Sequence, residues 1–269
     1  MPRESPPPVP ARFHSASEFR IRHAFSWLDD HRFLDHFFRI IPPSSFGERT
    51  RGRCRKARPL LFFMKTILYI DGFNFYYGAS RRFGIRWVDP SAVAKALLPD
   101  HEILRIRYFS ALIKPDPMDP DKSTRQHTYL RALRTLPEVD IQLGAFLQSV
   151  KQMPLFPLET PTVKVDVLKT EEKGSDVNLA VAMLLDAFDD AMECAVVLSN
   201  DSDLLAPIRI VRQRFKKTVG LINPQKRLSY ALQPEVDFYK QIRRGVLEVS
   251  QFSNPLTDAQ GTFHKPPTW

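Results

Sequence analysis

Four aspartates stand where strand-like runs give way to polar turns. Asp71 follows Thr66-Ile-Leu-Tyr-Ile70, and Asp201 and Asp203 follow Ala195-Val-Val-Leu198. Asp176 leaves the polar stretch Glu171-Glu-Lys-Gly-Ser175 and opens an apolar helical pattern. Carboxylates gathered at one point need a counter-charge: two at ~4 Å repel by about 4 kcal/mol at an effective dielectric of ~20. Protonation of one, or a divalent cation, relieves that repulsion. Oxygen ligands with no His or Cys motif beside them suit Mg²⁺ or Mn²⁺. Such an ion lowers the pKa of a bound water and neutralises charge on a phosphodiester. Asn74 is placed to hydrogen-bond a carboxylate or hold a water, and Ser199 to position a carboxylate or touch phosphate. Each aspartate alone also reads as a helix N-cap, worth about 1 kcal/mol. The four together read as a metal site. Lys173 reads either as a phosphate contact or as a solvated loop lysine.

These residues need a scaffold that brings strand ends together. Short apolar runs at 66–70, 104–113, 139–147, 163–168, 195–198 and 218–222 alternate with helical patterns at 91–98, 123–136, 177–188 and from about Asp203 to Phe215. Pro207 fits the first turn of the last helix, where its missing N–H costs nothing. Val177, Val181, Leu184, Leu185 and Phe188 form an apolar stripe at helical spacing. Pro-containing stretches at 116–121 and 151–161 read as loops, and Lys169–Ser175 as a polar turn. The alternation predicts an α/β fold with a mostly parallel central sheet covered on both faces. Sites in such sheets lie beyond the carboxyl ends of the strands.

The chain has 269 residues and a formal charge of +9. Residues 1–63 hold 12 Lys and Arg against 6 Asp and Glu, a net +6, so only +3 falls on the rest. Binding of nucleic acid by net charge is therefore not implied. It would need a local patch, for which Arg209, Arg212, Arg214, Lys216 and Lys217 are candidates, as is a solvated helix face. Tyr76, Tyr77 and Trp87 could stack bases or fill the core. Cys54 and Cys194 have no paired spacing, which fits a reducing cytoplasm rather than a disulfide scaffold. No run approaches the 18 apolar residues of a membrane span, and a homo-oligomer is left open.

Residues 1–63 are Pro-rich at the start and Arg-rich over 49–56, with one apolar stripe at Phe33, Leu34, Phe37, Phe38 and Ile41. Met64-Lys-Thr66 runs straight into a strand, as a natural N-terminus does. The expected division is a poorly ordered basic extension over 1–63, dispensable for stability and expected to lie upstream of the true start. A domain follows over 64–250, then a tail over 251–269.

Three segments, Tyr69-Ile-Asp-Gly-Phe-Asn74, Glu172-Lys-Gly-Ser-Asp-Val-Asn178 and Val197-Leu-Ser-Asn-Asp-Ser-Asp203, resemble the signature segments of NYN domains of the LabA-like branch, in the PIN-like nuclease superfamily. The resemblance covers roughly residues 64–225. It implies a three-layer α/β/α fold and a metal-dependent ribonuclease site, with Asp71, Asp176, Asp201 and Asp203 as the acids and Asn74 in support. It implies RNA as partner, single-stranded in this reading. Lys173, Ser199, Arg212 and Arg214 are then the candidate substrate contacts. The leading expectation is a Mg²⁺- or Mn²⁺-dependent endoribonuclease. The alternatives are a non-catalytic RNA-binding module and a small-molecule enzyme on the same fold. A dinucleotide site is excluded, because Asp71-Gly-Phe-Asn-Phe-Tyr-Tyr-Gly78 lacks the required glycine spacing.

Overall fold

The computed structural model describes residues 63–269 apart from 115–117, 159 and 161. The expectations for residues 1–62, including the stripe at Phe33–Ile41, lie outside the described residues. In chain order the elements are β1 (Met64–Asp71), α1 (Gly72–Phe75) continued by a π turn and α2 (Arg81–Phe83), α3 (Pro90–Leu97), β2 (His101–Ala111), α4 (Lys122–Leu133), β3 (Val139–Pro154) and β4 (Lys164–Lys173). Then come α5 (Ser175–Phe188), β5 (Cys194–Leu198), α6 (Leu205–Arg209) with a π turn to Arg214, β6 (Thr218–Asn223), β7 (Phe238–Gln241), α7 (Arg244–Val249), and the small hairpin β8 (Leu256–Asp258) and β9 (Gly261–Phe263).

Among the described residues seven strands form one sheet in the order β4-β3-β2-β1-β5-β6-β7. Every neighbouring pair is parallel except β3–β4. Alternate residues of the central strands feed two cores, because side chains on a strand point to opposite faces. Leu68, Ile70, Val196 and Leu198 pack with Phe75, Trp87, Leu130 and Leu247 on one face. Ile67, Tyr69, Val197 and Leu221 pack with Leu179, Met183 and Ile208 on the other. The three-layer α/β/α expectation is met. Phe252 and Phe263 lie against Trp87, with ring centroids 5.5 and 6.4 Å away, so residues beyond 250 close one face of the first core.

Two local expectations are corrected. Residues 151–154 are not loop but the end of β3, and 169–173 are not a turn but the end of β4. The two strands form one long antiparallel arm, pairing Ala145 with Lys173 through to Pro154 with Lys164. Pro154 is tolerated because it ends β3, well beyond the stretch Val139–Gly144 that pairs with β2, so one side of the strand there needs no ladder N–H. The second correction concerns α5. Val177, Val181, Leu185 and Phe188 are exposed, and the helix instead buries Leu179, Ala182, Met183, Asp186 and Ala187. The smaller stripe faces inward because its alanines allow close approach and because Asp186 has a partner there. Arg107 donates to both Asp186 oxygens, at 2.7 and 2.5 Å, and the Tyr69 hydroxyl donates to Oδ2 at 2.7 Å. Burial and the Asp186 carboxylate hold the Tyr69 phenol far above its ordinary pKa.

Candidate functional site

Asp71 ends β1 at the middle of the sheet and is 5% exposed. Its Oδ1 accepts from the backbone N–H groups of Phe73 and Asn74, at 3.1 and 2.9 Å, so it caps α1. Its Oδ2 accepts from Asn74 Nδ2 at 2.9 Å and from Ser199 Oγ at 3.0 Å. Cap and site readings therefore describe one carboxylate. Burial raises its pKa; the Asn74 and Ser199 hydrogen bonds oppose this, and Glu172 adds to it. Gly72 is required at this turn. A Cβ there would lie 2.7 Å from the Phe109 carbonyl oxygen and 2.9 Å from two ring carbons of Tyr108. Gly72→Ala is expected to lower stability by roughly 1–3 kcal/mol, a fall of about 3–10 °C in Tm; a thermal melt without that loss would show that the turn relaxes freely.

Ser199, one residue past β5, joins two parts of the site. Its Oγ donates to Asp71 and accepts from the backbone N–H of Asp201 at 3.1 Å. Asp201 in turn accepts from the N–H of Asp203 at 3.0 Å. Asp176 arrives from the third direction, in the first turn of α5. Gly174 precedes it at φ 99°, a left-handed conformation that glycine adopts without strain and that turns the chain from β4 into the helix. Glu172 accepts from the N–H of Ser175 at 3.2 Å and holds that turn.

The electrostatics of Asp176 show the convergence. Its pKa is raised to about 6, first by burial, then by Asp71, Asp201, Glu172 and Asp203. A carboxyl that titrates near 6 when folded and near 3.8 when unfolded favours the folded state fully below 3.8. That contribution is lost as pH rises through about 6. In EDTA, the Tm advantage of Asp176→Asn over the unmodified chain should grow from pH 3.8 to about 6 and then level off; a difference independent of pH would show that the carboxylates do not interact.

Among the described residues no three His, Cys, Asp or Glu side chains are gathered as a ready-made metal cage. The donor chemistry nonetheless fits a hydrated divalent ion, because Mg²⁺ keeps several waters and uses one or two direct carboxylates. The excess negative charge that raises Asp176 is the charge such an ion would offset.

Asp71, Asn74, Asp176, Ser199, Asp201 and Asp203 thus share one end of the sheet. Lys173 ends β4 and is exposed, with Nζ 3.4 Å from Glu171. Arg212 and Arg214 are not brought there. The helical run that begins beside Asp201 crosses the sheet and carries them to its other end. Arg212 there donates to Asp237 at 2.9 Å, and Asp237 accepts from Val219 at the start of β6. Arg209 pairs with Glu235 and Lys217 with Asp190, so this basic cluster is largely matched by acids. Trp87 is core, whereas Tyr77 is half exposed. Three contributors escaped sequence reasoning. Glu172 lies in a quoted segment without a clear role. Gln225 donates to Asn74 Oδ1 at 3.3 Å, and Asn200 bonds to Arg227 and Ser229 at 3.0 and 2.8 Å, closing the following loop. No sequence spacing announces such pairs.

The NYN domain family model matches residues 65–242. The chain is 27% identical over 236 residues to the 6-hydroxy-3-succinoylpyridine 3-monooxygenase HspA of Pseudomonas putida, an alignment covering 77% of this chain and 75% of that one. A protein of unknown function from Vibrio parahaemolyticus, known from its crystal structure, superposes with a TM-score of 0.45 at 18% identity, covering 68% of this chain and 94% of that one.

Proposed function

The chain belongs to the NYN domain family, within the PIN-like nuclease superfamily, and on that premise we propose that it is a divalent-metal-dependent endoribonuclease of the LabA-like branch, acting on single-stranded RNA. The observation that supports this reading most is the raised pKa of Asp176, caused by burial and four surrounding carboxylates. Mg²⁺ or Mn²⁺ held by Asp71 and Asp176, with Asp201 and Asp203 reached directly or through water, would supply an activated water and neutralise charge on the scissile phosphodiester. The protein's part is to hold the acids. Asn74 and Ser199 fix the Asp71 carboxylate through three of its four hydrogen bonds. Ser199 also ties the Asp201 turn to Asp71, so acids from β1 and β5 keep one spacing. Lys173, exposed at the end of β4, would be the cation that meets a phosphate oxygen. No side chain has to become covalently attached to substrate.

The test is cleavage of an end-labelled single-stranded RNA by the purified chain. Internal cuts should appear with Mg²⁺ or Mn²⁺ and vanish with EDTA. RNA binding without cleavage under every metal condition would overturn the catalytic reading and leave a binding module.

A second reading has its own support. The Pseudomonas relative is named as an enzyme of a hydroxypyridine, and an aromatic-walled pocket opens beside Asp71 in this chain. Under that reading the substrate is a small aromatic molecule, and RNA would be left uncut.

A further inference from the structure

Gly72, the residue after Asp71, also lines a pocket of ≈ 90 Å³ between the α1 run, the end of β2 and α4. Its walls are aromatic: Tyr76, Tyr108, Tyr129 and Trp269. Tyr129 meets Tyr108 edge-on at 6.3 Å between centroids and Trp269 at 5.9 Å. Three polar groups in the walls already have partners. The Tyr129 hydroxyl donates to the Val88 carbonyl at 2.8 Å. Gln126 donates to Ala111 O at 2.8 Å and accepts from Ile113 N at 2.9 Å. Arg125 is paired with Asp119.

Arg86 differs. It lines the same pocket, its Nη1 donates to the Thr268 carbonyl at 3.3 Å, and its Nε is buried without a partner among the described residues. A buried donor left unmade is costly, and more so on a charged group. An anionic oxygen is the acceptor that answers it best. The walls around it suit a flat π system, which stacks on or meets aromatic rings edge-on. Size narrows the choice further. A closed apolar cavity of about 150 Å³ holds benzene, so ≈ 90 Å³ open at its mouth takes at most one six-membered ring, with its substituent toward the opening, and excludes a fused pair.

We propose that this pocket binds a single six-membered aromatic ring bearing an anionic group, the ring against the aromatic walls and the anion at Arg86. Two sources carry that chemistry, a pyrimidine nucleotide and a free aromatic acid. The proposal does not rest on the nuclease reading, because binding here needs neither metal nor cleavage.

The test is calorimetric titration of the full chain in EDTA. The probes are uridine 5′-monophosphate and benzoate, with uridine and benzamide as their uncharged twins and adenosine 5′-monophosphate as the fused-ring control. At least one anionic probe should saturate, and its uncharged twin should bind about 10-fold more weakly or less well still. Saturation by uridine 5′-monophosphate alone assigns the nucleotide source, and by benzoate alone the free acid. Arg86→Met should weaken the saturating probe by roughly 10–100-fold. Tyr76→Ala, at a half-buried wall position, should weaken it by roughly 10-fold or more and serves where Arg86→Met fails to fold. The proposal is overturned if neither anion saturates up to millimolar concentration, if the uncharged twins or the purine bind as tightly, or if the folded variants bind unchanged. Loss of RNA cleavage with probe binding intact would count against the nuclease reading alone.

Discussion

Asp176→Asn is expected to lower metal-dependent RNA cleavage by on the order of 10³-fold, the scale of the several kcal/mol that a bound ion contributes to a charged transition state. In EDTA at neutral pH the same variant should melt at or above the temperature of the unmodified chain. Its carboxyl is held at about 6 by burial and by four other acids, so at neutral pH the folded protein carries a charge it resists. Adding Mg²⁺ should raise the Tm of the unmodified chain by mass action and leave the variant unmoved. Asp71→Asn would be a poorer probe. Asp71 accepts four hydrogen bonds, including two from the first turn of α1, so its loss confounds ligand and cap. A variant at 176 that keeps its Mg²⁺-dependent rate, or melts lower in EDTA, would remove Asp176 from the proposed metal site.

Asp186→Ala is expected to cost about 3–5 kcal/mol, because it strands a buried cation. The Arg107 side chain is 14% exposed and that of Asp186 8%. Without Asp186, Arg107 keeps only Asp140, at 3.3 Å, and the Tyr69 hydroxyl keeps only the Met192 sulfur. For a domain of this size the loss corresponds to a fall of roughly 6–20 °C in Tm, far from the acids and without effect on metal affinity in the folded fraction. Thermal and urea melts would show it. A loss under about 1 kcal/mol would mean that water replaces the carboxylate.

The parallel strands other than β7 were legible because a strand buried on both faces reads as an unbroken apolar run, as at Ala195–Leu198, and each run points to the polar residue that follows it; the short, partly exposed β7 offers no such run. Asp71 and Asp201 were therefore located by the pattern that builds the sheet. The parts of the β3–β4 arm at 148–154 and 169–173 were hidden because both faces there meet solvent, so no clean alternation marks them and the arm's prolines suggest loop. The orientation of α5 was hidden for a different reason. Its sequence carries two apolar stripes, and what decides between them is the Arg107–Asp186 pair, formed 79 residues apart. Arg212 illustrates a third limit. Helical proximity to Asp203 in sequence becomes distance in space once the helix crosses the sheet.

The first strand lies at the centre of the sheet, flanked by β2 on one side and β5 on the other. A chain emerging from a ribosome would complete β1, β2, β3 and the arm before β5 exists. Until then one edge of β1 stands unpaired and apolar, a kind of edge that recruits other chains. Closing it requires Thr66–Ile70 to meet Cys194–Leu198 across the whole intervening sequence, a non-local step of the sort that slows folding. Ser199 meets Asp71 across 128 residues in that same step. The acid cluster is thus assembled by the most sequence-distant strand pairing described, and a partly folded chain would present its first aspartate without the second. Chaperone dependence during synthesis, rather than equilibrium stability, is then the quantity to which substitutions along β5 are most exposed.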